Sequence, residues 1–70
     1  MKKERLFLKV QNGNVSAINE AGNPGPSYYR KGDATRAYWS DMGDGFVEIY
    51  LKDGTILIVN EAGNIRRTIR

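Results

Sequence analysis

The chain has 70 residues, of which 40% are hydrophobic, and a net charge of +3. This apolar content is too high for a disordered segment, and the charge is lower than binders of polyanions usually carry. The sequence has no Cys and no His, which excludes disulfides and the usual zinc sites. Small domains often need such links or a partner subunit. We therefore expect unusually good strand packing or a core completed by neighbouring chains.

No segment of the sequence is typical of a membrane span or a secretion signal. The longest apolar run, Ile56–Val59, is far too short to cross a bilayer. Lys2 and Lys3 are followed by further charged positions rather than by the apolar stretch of a signal peptide. We therefore expect a cytoplasmic protein that does not associate with membranes.

The first predicted element is a hairpin that turns at Asn12 and Gly13. Asn-Gly between alternating apolar residues is the strongest local signal for a two-residue turn, because both central positions need positive φ. Such a turn pairs Val10 with Val15, and it places the next apolar pair on the same face. The predicted strands of the whole chain lie at 5–10, 14–19, 27–30, 35–40, 46–52, 55–60 and 65–69.

Three segments follow the first hairpin before the pattern returns. Residues 19–23, Asn-Glu-Ala-Gly-Asn, supply the Gly and Asn that a chain reversal needs. Residues 34–39 are rich in β-formers, although a short helical turn after Asp33 is the alternative. Residues 41–45 contain turn residues and lead into the second hairpin.

The second predicted hairpin turns at Asp53-Gly54. A two-residue turn there pairs Leu51 with Ile56 and Ile49 with Ile58. The opposite face of this hairpin then carries Glu48, Tyr50, Leu57 and Val59. A hairpin that is apolar on both faces lies at the centre of a closed barrel or a sandwich, or another subunit covers it.

The sequence also repeats itself at an offset of 41 residues. Asn-Glu-Ala-Gly-Asn at 19–23 recurs at 60–64, and the same offset aligns Gly13 with Gly54 and many apolar positions with one another. We therefore predict that residues 6–23 and 47–64 adopt the same hairpin geometry. The expected fold is an all-β meander of hairpins in a single domain, residues 1–70, that forms a small barrel or sandwich.

Strand pairs that repeat every 40 or so residues are also found in β-propellers. The run from Asp53 to Ile65 resembles the inner hairpin of a blade in bacterial propellers. Because 70 residues hold fewer than two blades, the resemblance implies that a closed propeller would need several chains.

Residues that could support catalysis are few. Ser16, Ser27 and Ser40 have no histidine to activate them. A loose acidic series, Asp41, Asp44, Glu48 and Asp53, surrounds the second hairpin. A calcium loop is excluded because Gly43 and Gly45 stand where its ligands should be. We therefore expect no enzyme activity, no cofactor and no metal.

Aromatic residues lie beside basic ones between the two hairpins. Proteins that bind single strands stack bases on such aromatic residues and hold phosphates with Lys and Arg, whereas a small β domain also needs its large side chains in the core. Tyr28 and Tyr29 point to opposite faces of a strand, as do Tyr38 and Trp39, so at most half of them share one platform. The candidate face consists of Tyr29, Arg30, Lys31, Arg36, Tyr38 and Trp39.

The sequence therefore predicts a non-catalytic binding module that acts through protein–protein contact or self-association, with a homo-oligomer as the expected state. The alternative is a small β-barrel that binds single-stranded nucleic acid. An enzyme is the third class, because general acid–base work would depend on carboxylates in turns.

Overall fold

The computed structural model describes residues 6–40 and 45–70. In these residues it contains only β-strands: β1 (Leu6–Gln11), β2 (Asn14–Asn19), β3 (Pro24–Tyr29), β4 (Ala34–Trp39), β5 (Val47–Leu51), β6 (Ile56–Val59) and β7 (Ile65–Ile69). They form two antiparallel sheets, ordered β1-β2-β3 and β4-β5-β6-β7. The predicted all-β meander of hairpins is confirmed, but these strands do not close into a barrel. None of the described residues belongs to a helix that could cross a membrane.

Both sheets contribute to one hydrophobic core. Val15 and Ala17 of β2 are fully buried, and they meet the buried side chains of β5 and β6. Burying an aliphatic side chain contributes about 1.5–3 kcal/mol to stability. The core residues are Val15, Ala17, Tyr28, Tyr29, Ala34, Val47, Ile49, Leu57 and Val59.

The first hairpin has the predicted register. Val10 pairs with Val15, and the loop contains only Asn12 and Gly13. Both loop residues have positive φ, 54° and 75°, as the predicted turn requires. Gly13 also lies against Gly32, so closely that a Cβ on Gly13 would overlap the Gly32 backbone. The Ala34 N–H donates to the Gly13 carbonyl at 2.9 Å, which ties the first hairpin loop to the start of β4.

The second hairpin differs from the prediction by one residue. The Leu51 N–H donates to the Thr55 carbonyl at 2.9 Å, and Tyr50 pairs with Ile56. The loop therefore has three residues, 52–54, rather than two. Only Gly54 among them has positive φ, at 90°, which is typical of a type I turn followed by a left-handed glycine. The predicted pairings of Leu51 with Ile56 and of Ile49 with Ile58 are wrong.

A shift of one residue moves every side chain of a strand to the other face. Leu57 and Val59 therefore lie in the core with Ile49. Ile58 instead shares the opposite face with Glu48, its cross-strand partner. The predicted composition of each face was therefore wrong, although apolar residues do lie on both.

The two Asn-Glu-Ala-Gly-Asn turns, 19–23 and 60–64, have the same hydrogen bonds. Asn19 Oδ1 accepts from the N–H groups two and four residues later, at 3.0 and 2.9 Å. Asn60 Oδ1 does the same at 3.0 and 3.0 Å. The turn glycines Gly22 and Gly63 have φ values of 85° and 83°. The two turns therefore share one geometry, whereas the hairpin loops before them differ in length.

The strands between the hairpins differ in part from their predicted bounds. β3 begins at Pro24 rather than at residue 27 and contains Pro24 and Pro26, which an edge strand tolerates because its outer N–H groups have no strand partner. Residues 34–39 form strand β4 and not a helical turn. Residue 5 and the predicted turn residues 41–44 lie outside the described part of the chain.

Candidate functional site

One face of the four-stranded sheet points away from the core, and we call it the outer face. Residues directly opposite one another in an antiparallel sheet project to the same side. The cross-strand pairs therefore form two rows on this face: Tyr38, Glu48, Ile58 and Arg67, and then Arg36, Tyr50, Ile56 and Ile69.

The outer face combines aromatic and aliphatic surface. The rings of Tyr38 and Tyr50 meet edge to face with centroids 5.7 Å apart, a favoured geometry for aromatic pairs. The Tyr50 hydroxyl donates to Glu48 Oε1 at 3.4 Å. Tyr38 is 50% exposed and Ile69 is 40% exposed. The face therefore offers apolar contact area around one fixed carboxylate.

Positive charge lies at the two edges of this face. Arg36 is on the edge strand β4 and Arg67 is on the edge strand β7, and both side chains are exposed. Such an arrangement can hold a flat or elongated partner by apolar contact and by charge at its rim.

The acidic residues of the second hairpin do not converge. Among residues 6–40 and 45–70, no group of three His, Cys, Asp or Glu side chains is placed to hold a metal ion. Asp41 and Asp44 lie outside these residues. Asp53 instead accepts a hydrogen bond from the Thr55 N–H at 2.9 Å, so its carboxylate stabilises the loop of the second hairpin.

The predicted binding residues do not form one surface. Tyr29 is 7% exposed and belongs to the core. Its hydroxyl donates to Asp33 Oδ1, and burial together with Asp33 raises the pKa of Tyr29 to about 12. Tyr29 is therefore not available for stacking. Lys31 is exposed in the turn between the two sheets.

Trp39 lies on the other side of β4 from Tyr38 and is 42% exposed. Its ring meets the buried ring of Tyr28 edge to face, with centroids 6.2 Å apart. Arg30 Nε donates to Ser27 Oγ at 3.0 Å, and both residues line a shallow cavity beside the 60–64 turn. The structure therefore separates Trp39 and Arg30 from the outer face.

Only Arg36 and Tyr38 of the predicted set share the outer face. Sequence reasoning did not assign Tyr50 or Arg67 to the site. The signal that would have found Tyr50 is the shared alternation Arg36-x-Tyr38 and Glu48-x-Tyr50 on neighbouring strands. Using that signal requires the register of β4 against β5, because register decides which residues share a face.

Comparison with known proteins identifies no relative. No protein family, curated protein or solved structure matches the chain. Inference about function therefore depends on the geometry of the described residues.

Proposed function

We propose that the chain is a non-catalytic binding module that acts by self-association into a homo-oligomer, with the outer face as contact surface. The observation that supports this proposal is the partly exposed apolar and aromatic surface around Tyr38, Tyr50 and Ile69. In a domain with a small core, a further subunit that covers such a face adds to the stability of the fold.

The energetic argument depends on partly exposed side chains. Fully burying an aliphatic or aromatic side chain contributes about 1.5–3 kcal/mol, and Tyr38 and Ile69 are both about half buried in a single chain. Association also orders side chains and restricts motion, which costs several kcal/mol. A stable contact therefore needs most of the outer face. Glu48 together with Arg36 and Arg67 gives this face both signs of charge, so that two copies of the chain can complement each other.

Sedimentation velocity over a range of protein concentrations tests the proposal. We expect a mass above the 7.9 kDa of one chain, and the mass should rise with concentration. Tyr38→Lys should shift the distribution toward the single chain, because it places a charge in the contact. Lys31→Glu changes the charge at an exposed position of the turn between the two sheets and should have no effect. A mass of 7.9 kDa at every concentration would contradict self-association.

The second candidate function is binding of single-stranded nucleic acid on the same face. The specific observation in its favour is that Arg36 and Tyr38 are both exposed and share one face with Arg67. Stacking of a base on Tyr38 would contribute about 1–3 kcal/mol to binding. Each phosphate contact would make the slope of log K against log salt concentration more negative by about 0.7.

Fluorescence anisotropy with labelled oligonucleotides at low salt separates the two candidates. For a nucleic-acid binder, Tyr38→Ala should weaken binding roughly tenfold, and Arg36→Ala should reduce the salt slope by about one phosphate contact. Trp39→Ala is the matched control, because Trp39 lies on the other side of β4. If no binding occurs at tens of micromolar protein, self-association remains the proposed function.

A further inference from the structure

The two identical turns, 19–23 and 60–64, lie in different surroundings. The 60–64 turn is packed: a Cβ on Gly63 would lie 3.3 Å from the Ser27 carbonyl oxygen and 3.4 Å from that of Tyr28. The 19–23 turn is open: a Cβ on Gly22 would meet no described atom within 4 Å. The 60–64 turn therefore packs on the end of β3, and we call the backbone of Ser27 and Tyr28 its seat. The 19–23 turn packs on no equivalent backbone in the described part of the chain.

The ends of β3 and β7 correspond in register. Ser16 pairs with Ser27, and the residues 41 positions later, Leu57 and Thr68, also pair. Ile18 pairs with Pro24, and the equivalent Val59 pairs with Ile65. The backbone at Thr68 and Ile69 is therefore the counterpart of the seat at Ser27 and Tyr28, and all of β7 is exposed.

The faces of the two central strands show the same asymmetry. The core that the two sheets share contains Val15 and Ala17 of β2 and Leu57 and Val59 of β6. At an offset of 41, Val15 and Ala17 correspond to Ile56 and Ile58, which lie on the outer face. Each sheet thus presents to the core a different one of its two equivalent faces, and the second face of each lies outside that core cluster.

The second face of the three-stranded sheet, which we call the rear face, also carries apolar residues. At the offset of 41 residues, this face corresponds to the face of β6 that carries Leu57 and Val59, and it contains Ile18. Phe7, the cross-strand partner of Ile18, is 45% exposed. Lys9 lies on this face as well, and it is opposite in charge to Glu48 of the outer face.

We propose that copies of this chain stack head to tail, with the rear face of one copy on the outer face of the next. In this contact the 19–23 turn of one copy lies on the β7 end of its neighbour, as the 60–64 turn lies on the β3 end within one chain. The inference depends on the self-association proposed above and specifies its geometry and partner, a second copy of the chain.

Charge complementarity supports this direction of stacking. Glu20 stands in the open turn, and Arg67 and Arg70 stand in and directly after β7, all three exposed. The contact joins two different surfaces, so it is heterologous. It therefore ends either in a closed ring or in an open filament, and not in a simple two-fold dimer.

Two variants, each blocked on one surface, test the proposal. The rear-blocked variant carries Phe7→Lys and Glu20→Lys, and the outer-blocked variant carries Tyr38→Lys and Ile69→Lys. All four positions are exposed, so each variant should keep the β spectrum of the unmodified chain in circular dichroism. We expect each variant alone to sediment as one chain of 7.9 kDa. Their equimolar mixture should form a species of twice 7.9 kDa and nothing larger, since only one compatible pair of surfaces remains.

The outcomes separate this inference from the proposed function. If the rear-blocked variant keeps the mass of the unmodified chain, the contact is a symmetric pairing of outer faces: self-association holds and head-to-tail stacking is overturned. A mass of 7.9 kDa for the unmodified chain at all concentrations overturns both. Glu20→Lys alone, in an exposed turn, gives a readout that does not depend on the apolar substitutions. It should weaken association at least tenfold at low salt, and Lys31→Glu should not.

Discussion

Tyr29 at the end of β3 donates a hydrogen bond from its hydroxyl to Asp33 Oδ1. Tyr29 is a core residue of the three-stranded sheet, and Asp33 directly precedes β4 of the other sheet. The bond therefore holds the turn that joins the two sheets in a fixed position on the core.

This hydrogen bond predicts a loss of stability in alkaline solution. The pKa of Tyr29 is raised from 10.0 to about 12 by burial and then by Asp33. The folded state thus retains a proton that the unfolded state releases. The contribution of Tyr29 to stability is therefore full below pH 10 and is lost as the pH rises toward about 12. Urea unfolding between pH 8 and about 12 should show a steeper loss for the unmodified chain than for Tyr29→Phe. Equal slopes would contradict the assignment.

Asp53 predicts the opposite dependence in acid. Hydrogen bonds from the side chain and backbone of Thr55 lower the pKa of Asp53 below 3.8. The folded state therefore favours the carboxylate, and this stability is present above pH 3.8 and is lost as the pH falls through the lowered pKa. Asp53→Asn keeps an acceptor for the Thr55 N–H but cannot titrate. The midpoint temperature of thermal unfolding should therefore fall less steeply between pH 6 and about 2 for Asp53→Asn than for the unmodified chain.

Gly13 and Gly54 form a matched pair for separating backbone strain from steric contact. Both have positive φ, 75° and 90°. A Cβ on Gly13 would overlap the Gly32 backbone, whereas one on Gly54 would meet no described atom within 4 Å. Gly54→Ala should cost about 1–2 kcal/mol, the cost of a left-handed conformation. Gly13→Ala should cost about 1–3 kcal/mol more, because overpacking adds a penalty of that size. Similar midpoints in urea would show that Gly32 moves aside without cost.

Asn19 and Asn60 test what packing adds to one turn geometry. Each side chain accepts two backbone hydrogen bonds, and each such bond contributes about 0.5–1.5 kcal/mol. Asn19→Ala removes only these bonds. Asn60→Ala also loosens a turn that lies on the end of β3, so it should lower the free energy of unfolding more. Urea unfolding at low protein concentration measures both losses. A larger loss of unfolding free energy for Asn19→Ala than for Asn60→Ala would contradict the prediction.

Local turn chemistry predicted most of the fold, and one loop limited the prediction of which residues of the second hairpin share a face. Asn12-Gly13 forms the expected two-residue turn because Asn tolerates positive φ. Asp53 instead keeps negative φ and bonds the Thr55 N–H, which lengthens the loop by one residue. Asp-Gly is compatible with both loop lengths, so the sequence alone does not decide between them. That one residue decided whether Leu57 or Ile58 faces the core.

The separation of the predicted binding residues has a similar cause. Arg30 and Lys31 are close to Arg36 in sequence, but the turn between them crosses from one sheet to the other. Tyr29 was predicted to be either a core or a binding residue, and its burial depends on contacts with the other sheet that no local pattern contains. Arg67 joins Tyr38 through two intervening strands, a distance of nearly thirty residues along the chain.

The joint between the sheets is made largely of main-chain atoms. The Ala34 N–H bonds to the Gly13 carbonyl, and the Lys52 N–H bonds to the Asp33 carbonyl at 3.0 Å, so residues 33 and 34 connect the loops of both hairpins. Bonds of this kind do not depend on side-chain identity. Side chains on Lys31 or Lys52 can thus be exchanged for other exposed residues while the sheets keep their relative position. The glycine contact and the Tyr29–Asp33 hydrogen bond constrain which residues the joint accepts. This makes Lys31 and Lys52 suitable positions for attaching a fluorophore without altering the scaffold.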